Sequence, residues 1–275
     1  MKLPIEPSRA ERRTERADRH MMLHSNLTNS DRSPSTSSGL RKLTSRVFRK
    51  LKIASLPIRS FAWAFILRRC PDGLHLAHPS VPHIAVPADH HTFGSPDRAT
   101  YLVWKKEICG IAALKMVTDY AGATCDSSLF EMTIQSLSYR VFEVPADLNE
   151  PGGIKGAFHD GLLRFAKSFG LKGFRAEFIP FERVLVAVAK GLLPIASVNI
   201  NVIWGENPIP PRNHLVLVVG FEKIGGRITR VLYKDSATSL KWNRTTDYVP
   251  VEHFARSFNG RAVFLQPEPS SGMRG

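Results

Sequence analysis

The sequence predicts an α+β domain, and three observations lead there. Apolar residues recur at helical spacing from about Tyr101 to Phe169, and again from Phe181 to Lys190. After Pro194 the pattern changes to short, nearly continuous apolar runs, Ile195 to Val198 and Leu215 to Val219, of the kind a sheet buries on both faces. Gly225-Gly226 then separates the second run from Ile228 to Tyr233, which marks an antiparallel hairpin. Helices first and an antiparallel sheet afterwards is an α+β order.

Taken in order, the first helix carries Ile108, Ala112, Leu114, Met116, Val117 and Tyr120 and stops at Gly122. A second is expected from Ser127 or Ser128 to about Leu137, with the serine as N-cap and Glu131 in the first turn. A third spans about 156–169 and closes at Gly170, and a fourth spans Phe181 to Lys190 and closes at Gly191. Strands follow at 194–199, 214–221 and 228–233, then a short helix at 251–258 and a last strand at 262–265.

The chain has 275 residues, 43% of them hydrophobic, with 16 Phe and 4 Trp, enough apolar material for a sizeable core in one full domain plus extras or two small domains. That excludes a wholly disordered protein. Three cysteines, an odd number, argue against a disulfide scaffold and suit a reducing compartment. The longest apolar run near the start, Phe61 to Leu67, falls far short of the roughly 18 residues that span a bilayer.

A net charge of +14 suggests nucleic acid until it is located. Residues 1–70 hold 16 of the 38 Lys and Arg but 5 of the 24 Asp and Glu, so +11 lies there and +3 in the remainder. The basicity belongs to an N-terminal extension, and the folded part gives no reason to expect nucleic acid as a partner. Residues 1–60, with Phe48 as their one aromatic and the stretch Ser33 to Gly39, are expected to be disordered. Arg41, Lys42, Arg46, Arg49, Lys50 and Lys52 offer an alternative use as a weak electrostatic contact with a membrane surface or other polyanion. Translation from Met21 or Met22 is equally compatible with the sequence.

Residues 61–98 read as a connector with a short apolar segment. Arg68, Arg69, Cys70 and Pro71 follow that segment where a signal peptide would carry a small-residue cleavage site, so a cytoplasmic location is expected. From Pro71 to Pro96 the chain is rich in Pro and carries His75, His78, His83, His90 and His91. A metal site is one reading. The histidines show no recognisable ligand spacing, and an extended connector with an edge strand through His83 to Val86 is the other; no metal is expected.

Three residues fall where a structural role explains them poorly. Cys109 opens the first helix, whose N-terminal partial charge favours a thiolate, and Gly110 beside it leaves room for a substrate to approach the backbone. His214 opens the most hydrophobic strand, and Asp235 ends the paired strand of the hairpin, so the two lie side by side at one sheet edge. Taken singly, each is also compatible with a buried thiol, a satisfied core histidine and a loop-opening aspartate.

The run Trp104-Lys-Lys-Glu-Ile-Cys-Gly-Ile-Ala-Ala-Leu-Lys-Met116 resembles the nucleophile helix of the bacteriocin-processing-peptidase-like family of papain-type cysteine peptidases. His214-Leu-Val-Leu-Val-Val-Gly220 is similar to that family's histidine strand. Tyr233-Lys-Asp235-Ser236 is similar to its Tyr-x-Asp-Pro block, with Ser in place of Pro. Val249 to Phe254 and Gly260-Arg261 resemble its closing helix and strand. The resemblance covers residues 99–267, leaving 268–275 as a disordered tail. It implies a papain-like fold and a thiol-dependent peptidase acting on peptides or proteins without a cofactor. Cys109 would be nucleophile, His214 base and then acid, and Asp235 the group that orients the imidazole.

The family's usual glutamine, an oxyanion donor several residues before the nucleophile, is missing: residues 71–134 contain none, and Val103 stands six before Cys109. Lys105, Lys106 or the backbone would have to substitute. Trp204 is a candidate pocket wall, with Asn199 and Asn201 on the same loop; Cys125, His159 and His253 are expected to be structural or incidental. The alternative to catalysis is a peptidase-like module that binds peptides with little or no turnover.

Overall fold

The computed structural model describes Trp63 and residues 65–123, 126–146, 153–237 and 248–267, all within the unit Pro57–Gly275. The basic extension at residues 1–60, Cys125 and the tail at 268–275 lie outside the described residues. A helical turn at 65–69 leads into a strand, β1 (Gly73–Leu76). Two short helices follow, α1 (His90–Phe93) and α2 (Arg98–Trp104). Each is started by an aspartate, Asp89 or Asp97, that accepts the backbone N–H three residues on at 2.8 Å.

Next come α3 (Cys109–Tyr120) and α4 (Leu129–Leu137). Ser128, not Ser127, caps α4: its hydroxyl accepts from the Glu131 N–H at 3.1 Å, and Glu131 accepts from the Ser128 N–H at 2.9 Å. A small ribbon of β2 (Phe142–Glu143) and β3 (Lys155–Gly156) precedes α5 (His159–Ser168). Then come β4 (Lys172–Glu177), α6 (Phe181–Ala189), β5 (Leu193–Asn199) and the single turn α7 (Ile200–Ile203). The hairpin strands β6 (Asn213–Ile224) and β7 (Arg227–Lys234) are followed by β8 (Tyr248–Pro250), α8 (Val251–Ser257) and β9 (Phe258–Gln266).

Seven of these strands form one antiparallel sheet in the order β4-β9-β5-β6-β7-β8, with β1 also paired to β6. β5 pairs with β6 at residues 213–217 and β1 at 220–223, so β1 continues the line of β5. Alternate residues of β6 enter two separate cores. Leu215 and Leu217 pack with Ile108, Ile111 and Leu114 of the α3 layer, while Val216 and Val218 pack with Val184, Leu185 and Phe254 on the other face. Burial on both faces explains why β6 is almost unbroken in apolar residues.

The expectation of an α+β domain holds, but the strands are not confined to the second half. β4 was not legible because it is a half-exposed edge strand, Lys-Gly-Phe-Arg-Ala-Glu, whose charged residues obscure the alternation. The connector at 61–98 is extended yet docked. Its strand is Gly73–Leu76 rather than His83 to Val86, because Pro82 and Pro87 interrupt any ladder there. Gly220 permits the β1 pairing: a Cβ on it would lie 2.6 Å from the His75 carbonyl oxygen.

The helical turn is held by Lys223, a buried lysine on β6. Its ammonium donates to the carbonyls of Leu67 at 3.1 Å and Arg68 at 3.0 Å, and to that of Cys70, so it caps the turn's free acceptors. Lys223→Met removes those donors and is expected to cost about 1–3 kcal/mol, read as a lower urea midpoint. An unchanged midpoint contradicts the cap. Among the described residues no helix is long and apolar enough to cross a membrane.

Candidate active site

Cys109 is the first residue of α3 because the chain turns between α2 and α3. The N–H of Lys105 bonds the Tyr101 carbonyl and that of Glu107 bonds the Trp104 carbonyl, both at 2.9 Å, and fully buried Ile108 pins the junction. Ile108 offers no side-chain cap, and the first turn holds no acidic residue. The half-buried Cys109 therefore sits at the uncapped, positive end of the helix. Burial pushes the Glu107 carboxyl up from its ordinary range, with the charge of Lys106 opposing.

Gly110 has a different use from the one its position suggests. It is buried, and a Cβ there would come within 2.8 Å of both Ala157 Cβ and Leu215 Cδ1. Its missing side chain makes room for the protein, not for a substrate, and seats α3 on β6. Gly110→Ala is expected to cost about 1–3 kcal/mol in a denaturation experiment and to weaken thiol reactivity through displacement of the helix. A variant as stable as the parent contradicts that seating.

His214 is the second residue of β6, opposite Val198 of β5, and Asp235 follows the last residue of β7. The imidazole Nε2–H donates to Asp235 Oδ1 at 2.6 Å, and the Ala237 N–H donates to the same oxygen at 3.0 Å. The Asp235 side chain is wholly buried, whereas that of His214 remains 15% exposed. The charge of Cys109 acts on the same ring, and with Nε2 taken by Asp235 the nitrogen left for the thiol is Nδ1. Burial disfavours a charged ring here. The charge on Cys109, the hydrogen bond the ring donates to Asp235, and the charge on Asp235 outweigh it, so the histidine is pushed up to about 10.

The model of the Peptidase_C39-like family matches residues 96–262, which is more than half the chain and includes all three of these residues. The chain belongs to the Peptidase_C39-like family. No curated protein matches the chain. The Peptidase_C39-like fold is that of the papain-type cysteine peptidases, and the helix-on-antiparallel-sheet arrangement around Cys109 has that form. The helical turn, β1 and the Pro/His-rich segment at 65–95 precede the matched residues.

The other sequence candidates are placed as follows. Lys105 lies with its ammonium 4.9 Å from the centre of the Tyr101 ring, and Lys106 is exposed. Trp204 is buried at the end of α7 beneath the Arg212 guanidinium, 5.3 Å away, and its Nε1 finds no partner among the described residues. Asn199 donates to the Pro208 carbonyl at 3.0 Å and Asn201 to that of Pro210 at 3.2 Å, so both fasten the loop that precedes β6. His159 heads α5, where burial and then Arg261 lower it to about 4; His253 is half-buried on α8.

The Pro/His-rich segment is fastened by its own histidines. His75 stacks on Phe221 at 4.7 Å, and His78 joins Tyr120 Oη and the Gly191 carbonyl, both at 2.9 Å. His83 Nε2 reaches the Asp235 backbone carbonyl at 2.6 Å, a contact across 152 positions that no local spacing reveals. Among the described residues no three His, Cys, Asp or Glu side chains come together as a metal site would need.

Proposed function

We propose that this chain is a thiol-dependent peptidase in which Cys109, His214 and Asp235 act as a triad on peptide or protein substrates. The observation that carries this reading is the His214 imidazole held at 2.6 Å by the wholly buried Asp235 carboxylate, with Cys109 close enough for its charge to raise the ring. A ring held protonated to about pH 10 can give its proton to the leaving nitrogen throughout the neutral range.

The sulfur attacks the peptide carbonyl carbon, forming a C–S bond as the carbonyl π electrons move onto oxygen. The carbon–nitrogen bond then breaks, and the departing nitrogen takes the His214 proton. Water attacks the resulting thioester, giving one proton to His214 and expelling the sulfur, so that a carboxylic acid leaves and the ion pair is restored. Asp235 keeps the ring oriented throughout. The Cys109 N–H at the uncapped helix start supplies one donor to the oxyanion.

Lys105 and Lys106 stand as second-donor candidates only if they move. The ammonium of Lys105 rests on Tyr101 and that of Lys106 faces solvent. Lys105→Met is therefore expected to change peptide turnover by less than the hundredfold to thousandfold that loss of an oxyanion donor costs. A larger fall in kcat would assign Lys105 that role. Trp204, buried at the end of α7, remains a candidate wall of the substrate site.

The test is cleavage of a fluorogenic peptide library by the full chain, beside Cys109→Ala. Turnover that disappears in the variant supports a peptidase. Peptide binding retained by both proteins with no cleavage by either points to a binding module.

A further inference from the structure

Asp235 has a weakness in its support. The β6–β7 ladder ends at Leu217 opposite Lys234, so Asp235 stands one residue beyond the last pair. An aspartate that must hold an imidazole at 2.6 Å needs a fixed backbone, and the sheet does not supply it. Two bonds from a different part of the chain do. His83 Nε2–H donates to the Asp235 carbonyl at 2.6 Å, and the Val86 N–H donates to the Ser236 carbonyl at 2.8 Å.

The segment bearing these donors is itself anchored. Val81 and Val86 are buried on either side of His83, the Ala77 N–H bonds the Val219 carbonyl at 2.9 Å, and the Pro87 carbonyl accepts from Tyr101 Oη at 2.8 Å. With Pro82 and Pro87 restricting the backbone between these anchors, the segment is a strap with little freedom.

We propose that His83 is a positioning residue for the triad: through the strap at 77–87 it fixes the Asp235 backbone, and thereby the orientation of His214. This rests on the peptidase reading above. It assigns a part in the site to residues that precede the family-matched region, which begins at residue 96. His83 is exposed, and its hydrogen bond is the one to the Asp235 carbonyl. His83 Nε2 does not touch substrate; it acts through Asp235.

The experiment measures iodoacetamide alkylation of Cys109 against pH in the full chain, for the parent, His83→Ala and His83→Gln, with thermal unfolding in parallel. Loss of the bond lets Asp235 shift, weakens the imidazolium and so weakens its pairing with the thiolate. His83→Ala is expected to alkylate roughly tenfold to a hundredfold more slowly near pH 6, the range that follows from losing outer support or misplacing a group by about 1 Å. Near pH 9.5 the two rates are expected to converge, because free thiolate then forms without help. His83→Gln, whose amide N–H can reach the same carbonyl, is expected to recover most of the rate.

Alkylation unchanged in His83→Ala overturns the proposal while leaving the triad intact. A fall that is equal at every pH, that accompanies unfolding, or that glutamine does not relieve also overturns it, since a structural loss explains each. A parent whose Cys109 reacts no faster than Cys70 defeats the peptidase reading itself, and the strap's role with it.

Discussion

Cys109→Ala is expected to lower peptide hydrolysis by at least roughly ten-thousandfold, with the fold retained. The size follows from how a triad works: the sulfur forms the bond that breaks the amide, and the other members serve that step, so removing the nucleophile costs about as much as removing the whole set. The fold should persist because Cys109 is half-buried and only borders the core that Ile108 and Ile111 fill. Alanine at this helix start also keeps the backbone N–H that binds the oxyanion. Activity within about tenfold of the parent, measured on the same peptide, removes Cys109 from the chemistry.

Asp235→Asn carries the second largest effect, a fall of roughly ten-thousandfold in kcat by analogy with other triads. Asparagine fits the space but lacks the charge. Its side chain also leaves the ring without the bond at 2.6 Å that fixes its tautomer, unless the amide turns its oxygen to Nε2. The pH dependence separates charge from orientation. Protonated His214 must donate to the leaving nitrogen, so activity falls as pH rises through the folded pKa of about 10. Burial alone would lower that value; the bond to Asp235 and the charge on Asp235 help to hold it up. Removing the charge therefore moves the alkaline limb of kcat to lower pH. A limb that stays in place, or moves higher, shows that the Asp235 charge is not what supports the imidazolium.

The parts of the fold legible in the sequence are those decided by local chemistry. α3, α4 and α6 begin and end near their marked residues, and the β6–β7 hairpin turns at Gly225-Gly226, because caps, apolar spacing and turn glycines act over a few residues. The pairing of His214 with Asp235 was also legible, since two neighbouring strand ends lie side by side; the place of Cys109 beside them came from the family resemblance. What escaped is non-local. β1 and β4 are edge strands whose pairing depends on partners more than 80 residues away, such as Gly73 with Lys223 and Lys172 with Gln266. The role of Gly110 depends on Ala157 and Leu215, and that of His83 on a carbonyl 152 positions along the chain. Pro-rich stretches hide such contacts especially well, because they leave no periodic pattern to read.

Activation of Cys109 by His214 is the central proposal, and thiol labelling across pH tests it most directly. Full-length protein is treated with iodoacetamide between about pH 5 and pH 9.5, and each cysteine is followed by mass spectrometry, with His214→Ala as reference. The account predicts that Cys109 labels at least about tenfold faster than Cys70 near pH 6, and that His214→Ala removes the advantage. Labelling of Cys109 no faster than that of Cys70 or Cys125 at every pH, unchanged by His214→Ala, contradicts it.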